Sequence, residues 1–163
     1  MTDTYTPSNV EAEKAVLASM LTNIDAIASV ATIISADDFY TIKNGWIFTA
    51  IMELSERHVA ADFVTVCDEL QRRRQLEEVG GMAYIMDLIN AGGDPFHAEH
   101  YARIIENTSV LRKVIRACGQ IVQDTYESQD ADEVCSKAIQ LITDATGRRT
   151  DKEALTDTEA RAG

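Results

Sequence analysis

The feature that most constrains the fold of this chain is a long apolar stripe in its second half. Residues recur there at alternating steps of three and four, which is the period of a helix packed along a partner. The stripe consists of Tyr101, Ile104, Thr108, Leu111, Ile115, Cys118 and Val122. A helix from Ala98 to Tyr126 would be about 43 Å long at a rise of about 1.5 Å per residue. The sequence therefore predicts one helix that is much longer than the others.

A second apolar stripe follows after a polar turn at residues 127–129. Asp130 is placed to cap a return helix, with Glu133 three residues later. The residues that line this helix at helical spacing are Val134, Ala138, Leu141 and Ala145. The two stripes together predict an antiparallel helical hairpin over residues 96–147.

The first 95 residues predict several shorter helices. Ser8 and Glu11 have the spacing of a capping box at the first helix, and Asp62 is placed to cap the fourth. Glycines and a proline at residues 92–95 end the fifth. The apolar positions at helical spacing are Val16, Leu17, Met20 and Leu21, then Ile24, Ile27, Val30, Ala31 and Ile34, then Trp46, Ile47, Ala50, Ile51 and Leu54, then Val66 and Leu70, and finally Met82, Ile85, Met86 and Ile89. Because such helices can bury these positions only against each other, we expect one helical bundle over residues 1–95.

The composition favours the same fold class. Charged residues make up 26% of the chain, there are only two prolines, and alternating β-branched runs are lacking. The sequence therefore predicts an all-α protein, with a compact helical bundle followed by a projecting antiparallel helical hairpin.

A hairpin of two helices cannot cover all of its own apolar surface. We expect Ile105, Val114, Ile121, Ile139 and Ile142 to lie beside the seam and to remain exposed. Burying one such side chain is worth roughly 1.5–3 kcal/mol, so this surface favours association. The simplest arrangement is a two-fold pairing of hairpins, and the alternative is a hairpin that folds back onto the bundle. The residues expected in the self-association interface are Tyr101, Ile104, Ile105, Leu111, Val114, Ile115, Cys118, Ile121, Val122, Val134, Ala138, Leu141 and Ile142.

The charge balance argues against a nucleic-acid-binding role. The net charge is -12, which repels a phosphate backbone, so we expect little or no direct binding of nucleic acid. The basic residues group at 72–74 and along the long helix at Arg103, Arg112, Lys113 and Arg116. These groups are typical of solvated helix faces, and the alternative is a contact with an acidic protein partner.

The sequence contains no motif for catalysis or for a metal ion. None of the eight glycines is followed by Lys, so the phosphate-binding loop of ATP-driven motors is missing and we expect no nucleotide hydrolysis. The three cysteines, Cys67, Cys118 and Cys135, lack the spacing of a zinc site or a disulfide framework and are interpreted as buried small hydrophobes. His97 and His100 have no downstream cysteine pair that would complete a zinc site. We expect no cofactor, no membrane span and a cytoplasmic location.

Residues 7–146 contain six segments whose order and spacing match one known module. The segments are PSNVEAEKAVLASML (7–21), DFY (38–40), IFTAI (47–51), DFVTV (62–66) with Leu70, LEEVGGMAYI (76–85) and HYARII (100–105). They resemble the amino-terminal domain of bacterial and phage replicative DNA helicases of the DnaB family. The resemblance implies a helical bundle with a projecting hairpin, hairpins that pair, and three such dimers that form a collar above a hexameric motor ring.

The same resemblance implies that primase and the helicase loader engage this collar. It also implies that ATP and magnesium belong to the motor, so that the domain itself has no catalytic, cofactor or metal site. Residues 148–163 correspond to the linker towards the motor, or to a disordered tail. Whether Gly163 is a natural end or a truncation is left open by the sequence.

Two functions are therefore compatible with the sequence. One is the non-catalytic collar domain of a replicative helicase, which forms a homodimer or a trimer of dimers. The alternative is a stand-alone regulator or decoy of a host helicase or primase, of the kind that a phage could encode. The helicase-binding domain of primase resembles this fold as well, but residues 80–84 favour the helicase side.

Overall fold

The structure is a computed structural model that describes residues 5–161, except for the side chains of Pro95 and of residues 148–161. Every regular element in this part of the chain is helical, which confirms the predicted all-α class. The α-helices are α1 (Val10–Thr22), α2 (Ile24–Ala31), α3 (Ile42–Glu56), α4 (Phe63–Arg72), α5 (Leu76–Val79), α6 (Gly81–Ala91), α7 (Ala98–Glu127) and α8 (Ala131–Arg161), and short 3-10 turns lie at Ala36–Asp38 and Pro95–His97.

The helices form two compact units, Met1–Ser109 and Val110–Gly163. The first unit therefore extends beyond the expected boundary at residue 95, because the start of α7 belongs to its core. Ala98, Ala102 and Ile105 are all buried in the same cluster as the residues of α1 and α3. Two of these residues are alanines, whose small side chains allow a helix to approach its neighbours closely.

The predicted core of the first unit is largely confirmed. The expected apolar residues of α1, α3 and α4 are buried, apart from Trp46, which is partly buried against the cluster. In α2, Ile27 and Val30 are buried as expected. Ile24 is 70% exposed and Ala31 is exposed as well, because they are the first and last residues of this short helix. The prediction for α6 is half wrong, since Ile85 and Leu88 are its buried residues, whereas Met82 and Met86 are exposed.

The helix starts show which capping predictions hold. Asp62 caps α4, where its carboxylate accepts a hydrogen bond of 2.9 Å from the backbone N–H of Thr65. The cap of α1 is Asn9 rather than Ser8, because the Asn9 side chain accepts from the N–H of Ala12 at 2.9 Å. Both residues belong to the preferred N-cap types, so sequence alone separates them poorly.

The return helix is longer than expected. α8 continues to Arg161, whereas the sequence predicted a linker or disordered tail from residue 148. The prediction relied on the loss of the apolar stripe, but a helix without such a stripe can still follow local propensity. Residues 152–155 are Lys, Glu, Ala and Leu, all strong helix formers, and no proline follows.

Candidate interaction surface of the hairpin

Helices α7 and α8 form the predicted antiparallel hairpin within the second unit. Asp130 caps α8 by accepting hydrogen bonds from the N–H groups of Asp132 at 3.0 Å and Glu133 at 3.3 Å. Near this turn, Asp124 on α7 lies close enough to Lys137 on α8 to help raise the pKa of the lysine, after the larger effect of Glu133. Further from the turn, residues 113–120 of α7 lie beside residues 141–145 of α8.

The residues in the seam between the two helices agree with the prediction on α8 and differ from it on α7. On α8 the predicted residues are the buried or half-buried ones, namely Val134, Ala138, Leu141 and Ala145. On α7 the seam is formed by Val114, Ala117 and Ile121, of which Ala117 is buried and the others half-buried. Val114 and Ile121 were expected to be exposed beside the seam, and that expectation is wrong.

The part of the predicted α7 stripe that lies in the second unit is exposed instead. Leu111 is 46%, Ile115 52% and Val122 56% exposed, and Cys118 is exposed as well. These residues are each one position after a half-buried or buried residue, and a shift of one residue rotates a helical position by about 100°. The stripe is therefore not the seam of the hairpin, and no described residue covers it.

The three remaining α7 residues of the predicted interface belong to the first unit. Ile105 was expected to be exposed, but it is only 1% exposed and lies in the core cluster. Tyr101 and Ile104 are partly buried against the same core. These residues hold the start of α7 in the first unit and are not part of a free hairpin surface.

The exposed apolar residues of α7 and α8 lie on the same face of the hairpin. On α8, Cys135 and Ile139 are exposed, the latter by 69%, and Ile142 by 37%. On each helix the exposed apolar residues lie about 100° from the seam, in the same rotational sense along the chain. Two antiparallel helices are related by a two-fold axis normal to the plane that contains them, and this axis keeps each face of the hairpin on its own side. Because the exposed residues of both helices are rotated from the seam by the same angle, both exposed stripes lie on the same face of the hairpin. We call this surface the apolar face; it consists of Leu111, Ile115, Cys118, Val122, Cys135, Ile139 and Ile142.

Cys135 and Ile139 were missing from the predicted interface. The spacing of Cys135, Ile139 and Ile142 at steps of four and three is a signal that could have shown the second stripe.

The opposite face of the hairpin carries a groove. Lys113, Arg116 and Gln120 on α7 and Asp144 on α8 lie on the other side of the seam, at roughly 70° to 130° from it. The groove has a volume of about 360 Å³. We call it the hairpin groove; its lining residues are Lys113, Arg116, Ala117, Gln120, Leu141, Asp144 and Ala145.

The basic cluster at residues 72–74 is not simply a solvated face. Arg73 and Arg57 both donate to the carboxylate of Glu69, at 2.8 Å and 2.6 Å, and that carboxylate is buried. These hydrogen bonds, with the positive charges of Arg57 and Arg72, hold the pKa of Glu69 below its usual value. Arg73 also pairs with Glu53, which raises the pKa of the guanidinium. The cluster therefore ties the end of α4 to the end of α3.

The cysteine interpretation needs a correction. Cys67 is buried, as predicted, and burial raises the pKa of its thiol. Cys118 and Cys135 are exposed, because both lie on the apolar face. No group of three or more His, Cys, Asp or Glu side chains within the described residues could hold a metal ion. Over the same residues, none of the helices has the length and apolar character that crossing a membrane requires.

These elements define an all-α domain composed of a helical bundle and a helical hairpin. Residues 5–107 match the DnaB-like helicase N terminal domain, and the chain belongs to that family. The chain is 35% identical over 150 residues to the replicative DNA helicase DnaC of Bacillus subtilis, covering 91% of this chain and 33% of that protein. It is 39% identical over 124 residues to the replicative DNA helicase DnaB of Geobacillus stearothermophilus, covering 76% of this chain and 27% of the relative. The chain thus spans about a third or less of the length of these relatives.

Solved structures agree with this assignment. The N-terminal domain of DnaB helicase from Mycobacterium tuberculosis has a TM-score of 0.80 and 35% identity, over 86% of this chain and 99% of that one. The N-terminal domain of DnaB helicase from Helicobacter pylori, described together with its interactions with primase, has a TM-score of 0.62 at 22% identity, over 71% of this chain and 89% of that one. The second likeness concerns the fold alone.

Proposed function

We propose that this chain is the non-catalytic N-terminal domain of a replicative DNA helicase. In this role it pairs with a second copy through the apolar face and provides a docking surface for primase and the helicase loader. Membership of the DnaB-like N-terminal family supports the helicase assignment. Nucleotide hydrolysis, with its ATP and magnesium, would belong to a separate motor, since the sequence has no Gly-Lys phosphate-binding loop.

The observation that carries self-association is the exposure of the apolar face. Five large aliphatic side chains are displayed there without a charged residue among them, and full burial of each is worth roughly 1.5–3 kcal/mol. A contiguous apolar surface of this kind marks an interaction site. A two-fold axis would let the same face serve as both halves of the interface.

The size of the face indicates how tight the pairing should be. Two helices side by side, over the three turns from Leu111 to Val122, present roughly 400 Å² per copy. Such an area is at the low end for specific protein interfaces, so we expect a reversible dimer with a dissociation constant on the order of micromolar. Three such dimers would give the collar that the family resemblance implies.

Docking of primase is supported by proteins of the same fold. The H. pylori domain was described with its interactions with primase, and so was a DnaB-like replicative helicase that matches this fold with a TM-score of 0.68 at 20% identity. We extend this partner to the present chain, and we assign the helicase loader to it from the family resemblance.

Light scattering coupled to size exclusion tests self-association. The wild-type chain should show a mass that rises with concentration from 18.0 kDa towards twice that value. Ile115→Asp should remain a monomer at every concentration, because it places a charge in the apolar face without touching the buried core. Gln123→Glu, which adds a charge outside that face, is the matched control and should behave as wild type. A wild-type mass that stays near 18.0 kDa at hundreds of micromolar would exclude the pairing.

Calorimetry tests the docking role. We expect the helical C-terminal domain of the cognate primase to bind with moderate affinity, because priming requires repeated engagement and release. Complete lack of binding would favour a stand-alone regulator instead.

A further inference from the structure

We propose that the hairpin groove binds an acidic amphipathic helix of a partner protein. The inference rests on the proposed function, because it names the surface on which a docking partner would sit. It also gives the hairpin a second interface that is separate from the apolar face.

The shape of the groove suits a helix. Its floor is formed by Ala117 and Ala145, both buried, with the half-buried Leu141 beside them. Because the alanines are small, they leave a channel of about 360 Å³ between α7 and α8. A third helix can place a ridge of apolar side chains into such a channel, which is the usual way in which helices pack.

The charges at the rim select the partner. Arg116 and Lys113 are basic groups at one side of the groove, and Lys113 also takes part in an interaction within the chain. The rim also contains Asp144, whose carboxylate already accepts a hydrogen bond of 2.7 Å from the Gln140 side chain. In a chain with a net charge of -12, this rim is a local positive site, and acidic side chains flanking an apolar ridge would complement it.

The two surfaces can be occupied at the same time. Relative to the seam, Arg116 and Gln120 on α7 are rotated in one direction, and Ile115 and Cys118 are rotated in the other. A second copy on the apolar face therefore leaves the groove accessible. Binding of the partner should not require pairing of the hairpins.

The experiment uses the cognate primase C-terminal domain as the probe, titrated by calorimetry against wild type and variants of the full chain. In the Lys113→Glu/Arg116→Glu variant the affinity should fall by roughly tenfold, since two favourable charges become repulsive. In Asp144→Asn the affinity should rise by roughly twofold to threefold, because the repulsive carboxylate is removed. Ile115→Asp should bind as wild type. Arg116→Lys, which keeps the charge, is the matched control, and circular dichroism checks that each variant is folded.

The outcomes separate the two proposals. If wild type binds and both the charge reversal and Asp144→Asn leave the affinity unchanged, the groove is not the docking site, while the docking function stands. If wild type does not bind primase at all, the docking function fails and the groove assignment fails with it. If single-stranded DNA displaces the primase domain and its own binding is lost on charge reversal, the groove is a nucleic-acid site and the acidic-helix partner is wrong.

Discussion

The hydroxyl of Ser109 donates a hydrogen bond of 2.7 Å to the buried carboxylate of Asp38, which lies 71 positions earlier in the chain. The other carboxylate oxygen of Asp38 accepts from the backbone N–H of Ser35 at 2.8 Å. One carboxylate thus joins the 3-10 turn Ala36–Asp38 to the last residue of α7 within the first unit.

Replacing either residue should destabilise the first unit. Ser109→Ala should lower the free energy of unfolding by about 1–2 kcal/mol, because a buried carboxylate oxygen loses a donor. Asp38→Ala should cost more, since the donors of both Ser35 and Ser109 lose their acceptor. Urea unfolding followed by circular dichroism measures both changes. Ser136→Ala, at an exposed position, is the control, and an equal effect from all three substitutions would show that the buried hydrogen bond contributes nothing.

The buried carboxylate of Glu13 should also contribute to the stability of the first unit. Glu13 accepts from the N–H of Tyr40 at 2.6 Å and from the Asn44 amide at 2.8 Å, and the hydroxyl of Tyr84 donates to Asn44 at 2.9 Å. Glu13→Gln should destabilise by about 2–3 kcal/mol, because the new amide group faces donors where an acceptor is needed. Tyr84→Phe should cost less, about 1 kcal/mol. Thermal unfolding measures both losses of stability, and Glu11→Gln at an exposed position serves as the control. If Glu11→Gln lowers stability as much as Glu13→Gln does, the hydrogen bonds of Glu13 do not stabilise the fold.

The ion pairs of Glu69 predict how stability depends on pH. Since its pKa is lowered in the folded state, its contribution is fully present above the unfolded value of about 4.3 and is lost as pH falls through the folded-state pKa. Glu69→Gln should therefore be less stable than wild type at neutral pH. Its stability should also decline less steeply below about pH 4.3. Urea midpoints across this range test the difference, with the exposed Glu78→Gln as control. Parallel pH curves for wild type and Glu69→Gln would contradict the expectation.

Replacing Gly93 or Gly119 by alanine should change the stability of the protein in opposite directions. A Cβ on Gly93 would overlap the backbone and hydroxyl of Ser19 and would lie 2.8 Å from the carbonyl oxygen of Ala15. Gly93→Ala should therefore destabilise by about 2 kcal/mol or more, as overpacking does. Gly119 lies inside α7 with open space where a methyl group would be added, so Gly119→Ala should stabilise by roughly 0.5–1 kcal/mol. Differential scanning calorimetry decides the signs, and a stabilised Gly93→Ala would show that the loop is not tightly packed on α1.

Thiol reactivity should distinguish the three cysteines. Cys118 and Cys135 are exposed and should react rapidly with a chromogenic disulfide reagent. Cys67 should react only on unfolding, because it is buried and its thiol pKa is raised. Cys118→Ser and Cys135→Ser should each remove one rapid equivalent. If the apolar face pairs, the rapid reactions should slow as protein concentration rises, whereas a rate independent of concentration would mean that this face stays open.

Much of the bundle could be predicted because two signals coincide there. At α4, the capping residue Asp62 marks the start of a helix, and Val66 and Leu70 follow it at a spacing of four, which places both on one helical face. At α6 the cap signal is weak, and Met82 and Met86 suggested a face that is rotated away from the buried Ile85 and Leu88.

The seam of the hairpin could not be predicted from hydrophobic periodicity. Leu111, Ile115 and Val122 dominate the pattern. The buried residue of the α7 seam is Ala117, whose side chain is too small to stand out beside the half-buried Val114 and Ile121. The same reason hid the attachment of α7 to the first unit, because two of its anchoring residues, Ala98 and Ala102, are alanines. Helices that approach closely do so through small residues, and hydropathy gives these little weight.

The apolar face and the charged groove are separate surfaces, so ionic strength should affect binding at the two surfaces in opposite directions. Two copies that each carry a net charge of -12 repel one another, so added salt screens this repulsion and should tighten pairing through a face that contains no charge. The same salt weakens the attraction of Arg116 and Lys113 for an acidic helix. Raising the salt concentration should therefore shift the chain from its partner-bound form towards its paired form, although neither surface changes its structure.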